Sequence, residues 1–225
     1  MITLYSGLVV RQPLVDALIP AFEAETGECV EATFEPTTVL LERIAAGERP
    51  DLVLGVAGSV VELAESGVLD PAAVAEIAVS AVGVARLPET TGPADASAEA
   101  FLARLLESRA VAYSLSGASG LHFAGVLRER GLLERIDERA VRFPAGLTAE
   151  AVVDGRAEFA IQQVSELRSV PGPHLVEPIP HGLQSYARFA IGARAGAPAA
   201  ARDFAGSLAG ERALLAFEAV GLSAP

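Results

Sequence analysis

At 225 residues, 51% hydrophobic and 20% charged, the chain has ample apolar side chains for one large core or two small ones, and its composition is not that of a disordered segment. Its formal charge of −12 repels nucleic acid and anionic membrane surfaces, and no apolar run reaches the roughly 20 residues that a membrane-spanning helix needs. All 17 basic residues are Arg, which excludes Lys Schiff-base chemistry, and the single cysteine, Cys29, excludes an internal disulfide and a Cys-based zinc cluster.

In chain order, the pattern predicts a strand over 2–5, a helix over 13–26 ended by Gly27, a strand over 30–34 and a helix over 39–46 behind the Pro36-Thr37-Thr38 turn. A continuous apolar run over 51–56 reads as a buried parallel strand and 60–66 as a helix. A strand over 79–86 follows, then a Pro- and Gly-containing loop over 87–97. The second set is helix 98–106, strand 110–113, helix 120–130, strand 141–143, helix 148–154 and strand 159–163. A Pro-rich stretch over 170–180 reads as a loop, and a strand over 186–193 and a helical tail over 197–220 close the chain. This alternation is the signature of doubly wound α/β sheets, in which ligands sit at the carboxyl ends of strands where helix N-termini present free N–H groups. Met1 leads straight into the first strand with no basic or apolar leader, so the chain as written reads as cytoplasmic; one trimmed of a signal peptide would be periplasmic or extracellular.

Ser6-Gly7 ends the first strand and turns a hydroxyl and a backbone N–H toward that edge; it reads equally as a plain turn. Arg11 follows at a helix start, where a cation opposes the helix dipole, so either a bound anion or solvent exposure accounts for it. The stretch Tyr113-Ser114-Leu115-Ser116-Gly117-Ala118-Ser119-Gly120 places hydroxyls and glycines between a strand and a helix, the setting of an oxyanion cradle; no Lys-[Ser/Thr] ending marks it as a nucleotide loop. His122 falls in the first turn beyond it, as a cleft residue or a structural histidine. Gln162-Gln163 closes an apolar strand and offers paired amides, or marks the exit from the core. His174 and His181 read as solvated, three separated histidines make no metal site, and no nucleophile elbow is present.

The chain resembles the type II solute-binding proteins of the molybdate-binding kind. Ile2-Thr3-Leu4-Tyr5-Ser6 with the run from Leu18 to Gly27 looks like that family's opening, the block from Arg43 to Leu54 is similar to its next one, and the run from Ala199 to Leu222 resembles its closing helices. The resemblance implies a two-lobed α/β fold of the periplasmic-binding-protein type, each lobe a doubly wound sheet, with a ligand cleft between lobes and hinge closure. It implies one lobe from 1–79 plus 187–225 and the other from 80–186. Ligand donors are expected at Ser6, Gly7, Arg11, Thr37, Ser116, Ser119, Gly120, Gln162 and Gln163, with no metal and no cofactor. Where molybdate binders carry a Val-Tyr pair this chain has Gln162-Gln163, and the run from Phe159 to Leu167 followed by Val170-Pro171-Gly172 is most like an aconitate-isomerase-like branch. The expected function is therefore binding of a small carboxylate or oxyanion, with an ABC permease as partner if the protein is exported. The alternative is a cofactor-independent isomerase of a small polycarboxylate, with His122 as base and Arg11 as carboxylate clamp.

Overall fold

In the computed structural model, which describes residues 1–91 and 97–225, β1 (Ile2–Ser6) pairs in parallel with β2 (Val30–Phe34) on one side and β3 (Leu52–Val56) on the other. Ser6 stands beside Phe34 and Leu54, so the three strands end together. Strands covered on both faces are apolar along their whole length, and Ile2, Leu4, Leu52 and Leu54 are at most 1% exposed. Between β1 and β2 the chain is helical over 8–26, from a 3-10 turn (Leu8–Val10) through α1 (Arg11–Pro13) and a π turn (Leu14–Leu18) to α2 (Ile19–Thr26). Pro20 cannot donate to the carbonyl four residues back, and the widened π turn just before it absorbs that loss. Gly27, at φ +74°, ends the run in the left-handed conformation.

The first unit continues through α3 (Thr37–Ala45), β3, α4 (Ala57–Glu65) and the long strand β4 (Leu69–Arg86). Asp51 fastens its base: Thr3 donates to it from both N–H (3.0 Å) and hydroxyl (2.9 Å), and Arg194 donates at 2.9 Å. Burial raises this carboxyl, but the bonds from Thr3 and then Arg194 outweigh it and hold it below the usual carboxylate range.

The second unit is built from α5 (Ala98–Glu107), β5 (Val111–Ser114), α6 (Ala118–Glu129), α7 (Leu133–Asp137), β6 (Val141–Phe143), α8 (Glu150–Val153), β7 (Phe159–Gln163), α9 (Val164–Arg168) and β8 (Leu175–Pro178). Here β5 lies between β6 and β7, parallel to both; the end of β4 runs antiparallel to β7 and to β8. The loop expected over 87–97 lies partly outside the described residues. The closing strand β9 (Tyr186–Arg194) returns to the first unit antiparallel to β3, and α10 (Ala199–Ser207) and α11 (Glu211–Ala219) pack Phe204 and Phe217 into its core. The two compact units are Met1–Ser80 with Ala187–Pro225, and Ala81–Tyr186.

The structure corrects the expected elements at several places, among them the short helix α9, which was not anticipated. β4 begins ten residues before the expected strand at 79, a strand (β8) lies within the expected Pro-rich loop, α7 was not anticipated, and the tail is two helices rather than one. Residues 69–78 alternate weakly and carry Pro71, so only pairing with the rest of the sheet makes them a strand.

Candidate functional site

In the first unit, the carboxyl ends of β1 and β3 bring Ser6, Gly7 and Thr37 together. Ser6 is fully buried and its hydroxyl donates to the Gly7 carbonyl at 3.0 Å. Gly7, expected to offer its N–H to a ligand, has given it to Leu54 O at 2.8 Å. Thr37, the first residue of α3, accepts from the Val56 N–H at 3.3 Å, and its methyl lies so close to Gly55 that a Cβ there would come within 2.9 Å. Arg11 is exposed, with its guanidinium 5.9 Å from the centre of the Phe34 ring and no ion-pair partner among the described residues.

In the second unit, β5 and β7 run side by side, Tyr113 beside Ile161, and each passes directly into a helix. At the β5 end the buried Ser114 hydroxyl accepts from the N–H groups of Ser116 (3.3 Å) and Gly117 (2.9 Å), which fixes the turn that starts α6. Ser116 donates to Pro144 O at 2.6 Å. Gly117 is the N-cap and offers no side chain, so the first-turn N–H groups of this twelve-residue helix lack a side-chain cap. Gly120 is a packing glycine: a Cβ there would stand 1.8 Å from Ser114 O. Ser119 is 1% exposed, and its hydroxyl has no partner among the described residues.

The two glutamines part company. Phe159 and Ile161 of β7 pack with Phe123 and Leu127 of α6, whereas Ala160 faces the opposite core with Ala149 and Val152. Strand alternation therefore turns Gln163 toward the α6 face and Gln162 away from it. Gln162 is fully engaged: its Oε1 accepts from the N–H (2.8 Å) and hydroxyl (3.0 Å) of Thr148, and its Nε2 donates to Gly146 O at 3.0 Å. Gln163 is 3% exposed and caps α9, its side chain facing the Glu166 N–H too loosely for its Oε1 to make a full hydrogen bond, and the hydroxyl of Ser165, 2% exposed in the first turn of α9, has no partner among the described residues. Buried polar atoms are nearly always satisfied, so the two orphan hydroxyls at two adjacent strand ends mark a place where a partner belongs.

Glu166 follows at half burial. Burial pushes its carboxyl up to about 7, against the pull of the Gln163 backbone N–H (3.2 Å) and the Gln162 amide. His122 lies on the α6 face too, with Nε2 2.8 Å from Leu183 O. A carbonyl only accepts, so Nε2 carries a hydrogen, and in the neutral ring the lone pair is on Nδ1. Thr148, Ser165 and Glu166 were not singled out from sequence, although Ser165 repeats at the end of β7 what Ser119 does at the end of β5.

Over residues 2–223 the chain matches the family described as bacterial extracellular solute-binding protein. It is 30% identical over 211 residues to a protein named aconitate isomerase from a Pseudomonas species, an alignment covering 90% of this chain and 80% of that one. The fold is shared with the periplasmic molybdate-binding protein of Azotobacter vinelandii at a TM-score of 0.81 and 18% identity, over 100% of both chains. It is shared too with PEB3 solved with L-phospholactate bound, at a TM-score of 0.71 and 17% identity, again over 100% of both.

Proposed function

The chain belongs to the bacterial extracellular solute-binding proteins, and we propose that its solute is a small anion of the carboxylate or oxyanion class, held by groups at the strand ends of the second unit. In the second unit the donors are the first-turn N–H groups of α6, the Ser119 and Ser165 hydroxyls and the Gln163 amide. Gln162 serves as a brace instead of a ligand. The observation that carries this reading is the pair of buried, unpartnered hydroxyls, Ser119 and Ser165, beside an uncapped helix start. Such groups cost stability while empty and repay it when a ligand supplies their partners. Neutral donors at a helix start suit a small anion. The family's description as extracellular supports work outside the cytoplasmic membrane, with an ABC permease as the partner if the protein is exported. Among the described residues no helix is long and apolar enough to cross a membrane.

The second reading is isomerisation of a small polycarboxylate, favoured by the 30% identical relative named aconitate isomerase. Proton transfer at a carbon beside a carboxylate needs a base, and His122 Nδ1 is free of the Leu183 bond.

Calorimetric titration with cis-aconitate, trans-aconitate, citrate, molybdate and sulfate tests both, with proton NMR of the same samples to detect turnover. Saturable binding of at least one of these anions, weakened at least tenfold in Ser119→Ala, supports the site. Anion binding untouched by Ser119→Ala and Gln163→Ala contradicts it. Interconversion of the aconitate isomers, lost in His122→Ala, selects the second reading.

A further inference from the structure

The α6 helix has two flanks. Ser119, His122 and Phe123 fall on one; Gly120, Leu121, Ala124 and Arg128 fall on the other, by the helical period. On this second flank, within the second unit, lies a cavity of about 210 Å³. Its floor is the buried Tyr113, whose hydroxyl donates to Asp137. Asp137 is shared with Arg142, at 3.5 Å. Arg128 also lines the cavity and has no hydrogen bond or ion pair among the described residues. The lining thus holds two guanidinium groups against one carboxylate that already serves a phenol. At the mouth, Leu115 and Leu121 are 47% and 52% exposed, large apolar side chains left open to water in an otherwise acidic protein.

Each feature alone is ordinary. Together they describe one ligand: a surplus positive charge asks for a single anionic group, and the open leucines with Ala124 ask for an apolar body beside it. A fully ionised inorganic oxyanion leaves the leucines wet, and an uncharged hydrocarbon leaves Arg128 uncompensated.

We propose that this cavity is a second ligand site, for a small monocarboxylate with a compact apolar body, its carboxylate between Arg128 and Arg142 and its body over Leu115, Leu121 and Ala124. The site stands apart from the Ser119 and Gln163 groups on the other flank of α6, so a ligand here leaves those groups free.

Benzoate titrated into the full chain by calorimetry, with protein-observed NMR of the α6 amides, is the test. Wild type is expected to bind benzoate with an affinity on the order of 0.1–1 mM, as befits a small ligand with one ion pair. Arg128→Gln is expected to weaken binding at least fivefold, and Ala124→Leu, which fills the cavity, to abolish it, both with unchanged circular dichroism. Ser119→Ala is expected to leave benzoate binding intact. No detectable binding, equal binding in Arg128→Gln and Ala124→Leu, or loss of binding in Ser119→Ala overturns the proposal. Should Ala124→Leu fail to fold, Leu121→Ser removes the apolar lip without touching the core and is expected to weaken benzoate at least threefold; no weakening overturns the proposal.

Discussion

Gln162 holds Thr148 by both of its donors, the backbone N–H at 2.8 Å and the hydroxyl at 3.0 Å meeting the same amide oxygen. Thr148 is fully buried, and the bond from Gln162 Nε2 to Gly146 O closes the loop between β6 and α8 onto the end of β7. That loop also receives the Ser116 hydroxyl at Pro144, so one side chain steadies the ground on which the α6 turn rests. Removing it orphans the buried Thr148 N–H, at about 1–3 kcal/mol, and leaves the Thr148 hydroxyl only its longer bond to Ile161 O at 3.4 Å. Gln162→Ala is expected to destabilise the second unit by roughly 2–4 kcal/mol in urea unfolding. Gln163→Ala, whose oxygen has only the loose cap over the Glu166 N–H to lose, is expected to cost about 1 kcal/mol.

The hydroxyls of Ser119 and Ser165 are buried without partners. Without ligand, Ser119→Ala and Ser165→Ala are expected to be neutral or to raise stability by up to about 1 kcal/mol, since an unsatisfied buried group is removed. With a binding anion present, the same variants are expected to lose the ligand-induced rise in Tm that wild type shows. Tm measured with and without ligand reads both effects in one experiment.

Glu166 supplies a pH signature. Its folded-state carboxyl, pushed up to about 7 by burial, binds its proton more tightly than in the unfolded chain, at an ordinary 4.5. Between those values the folded state holds the extra proton, so stability falls as pH rises from 4.5 to 7. Glu166→Gln keeps an acceptor for the Gln163 N–H and removes the titration. Its stability is expected to be flatter over that window and to exceed wild type at pH 8 by about 2–3 kcal/mol, read from urea unfolding at several pH values.

Gly120 leaves no room for a methyl, since a Cβ would stand 1.8 Å from Ser114 O. Gly120→Ala must push α6 off β5 and is expected to cost about 3 kcal/mol or more, with loss of anion binding as Ser119 moves. Gly125→Ala, at a helical position with nothing within 4 Å, is the control and is expected to be neutral or slightly stabilising.

Sequence reasoning reads the fold well where the pattern is local. The apolar runs of β1, β3 and β7 and the helix ends at Gly27, Gly47 and Gly67 are visible in single residues. It fails where pairing decides: the first half of β4 has no alternation of its own, and β8 lies among prolines. The site was half legible for the same reason. Hydroxyls and glycines between strand and helix announce a strand end, but whether a given donor is free depends on neighbours distant in sequence. Gly7 N–H goes to Leu54, and Gln162 goes to Thr148. Gln163, one residue on, keeps only a loose cap over the Glu166 N–H because alternation turns it to the other face.

The most direct test of the central claim is an amide NMR titration with the anion that raises Tm most in the panel above. The largest shifts are expected at the backbone amides of Ala118 to Gly120 and at the side-chain amide of Gln163, all saturating with one dissociation constant. Shifts that leave these groups unmoved while clustering elsewhere in the chain would contradict it.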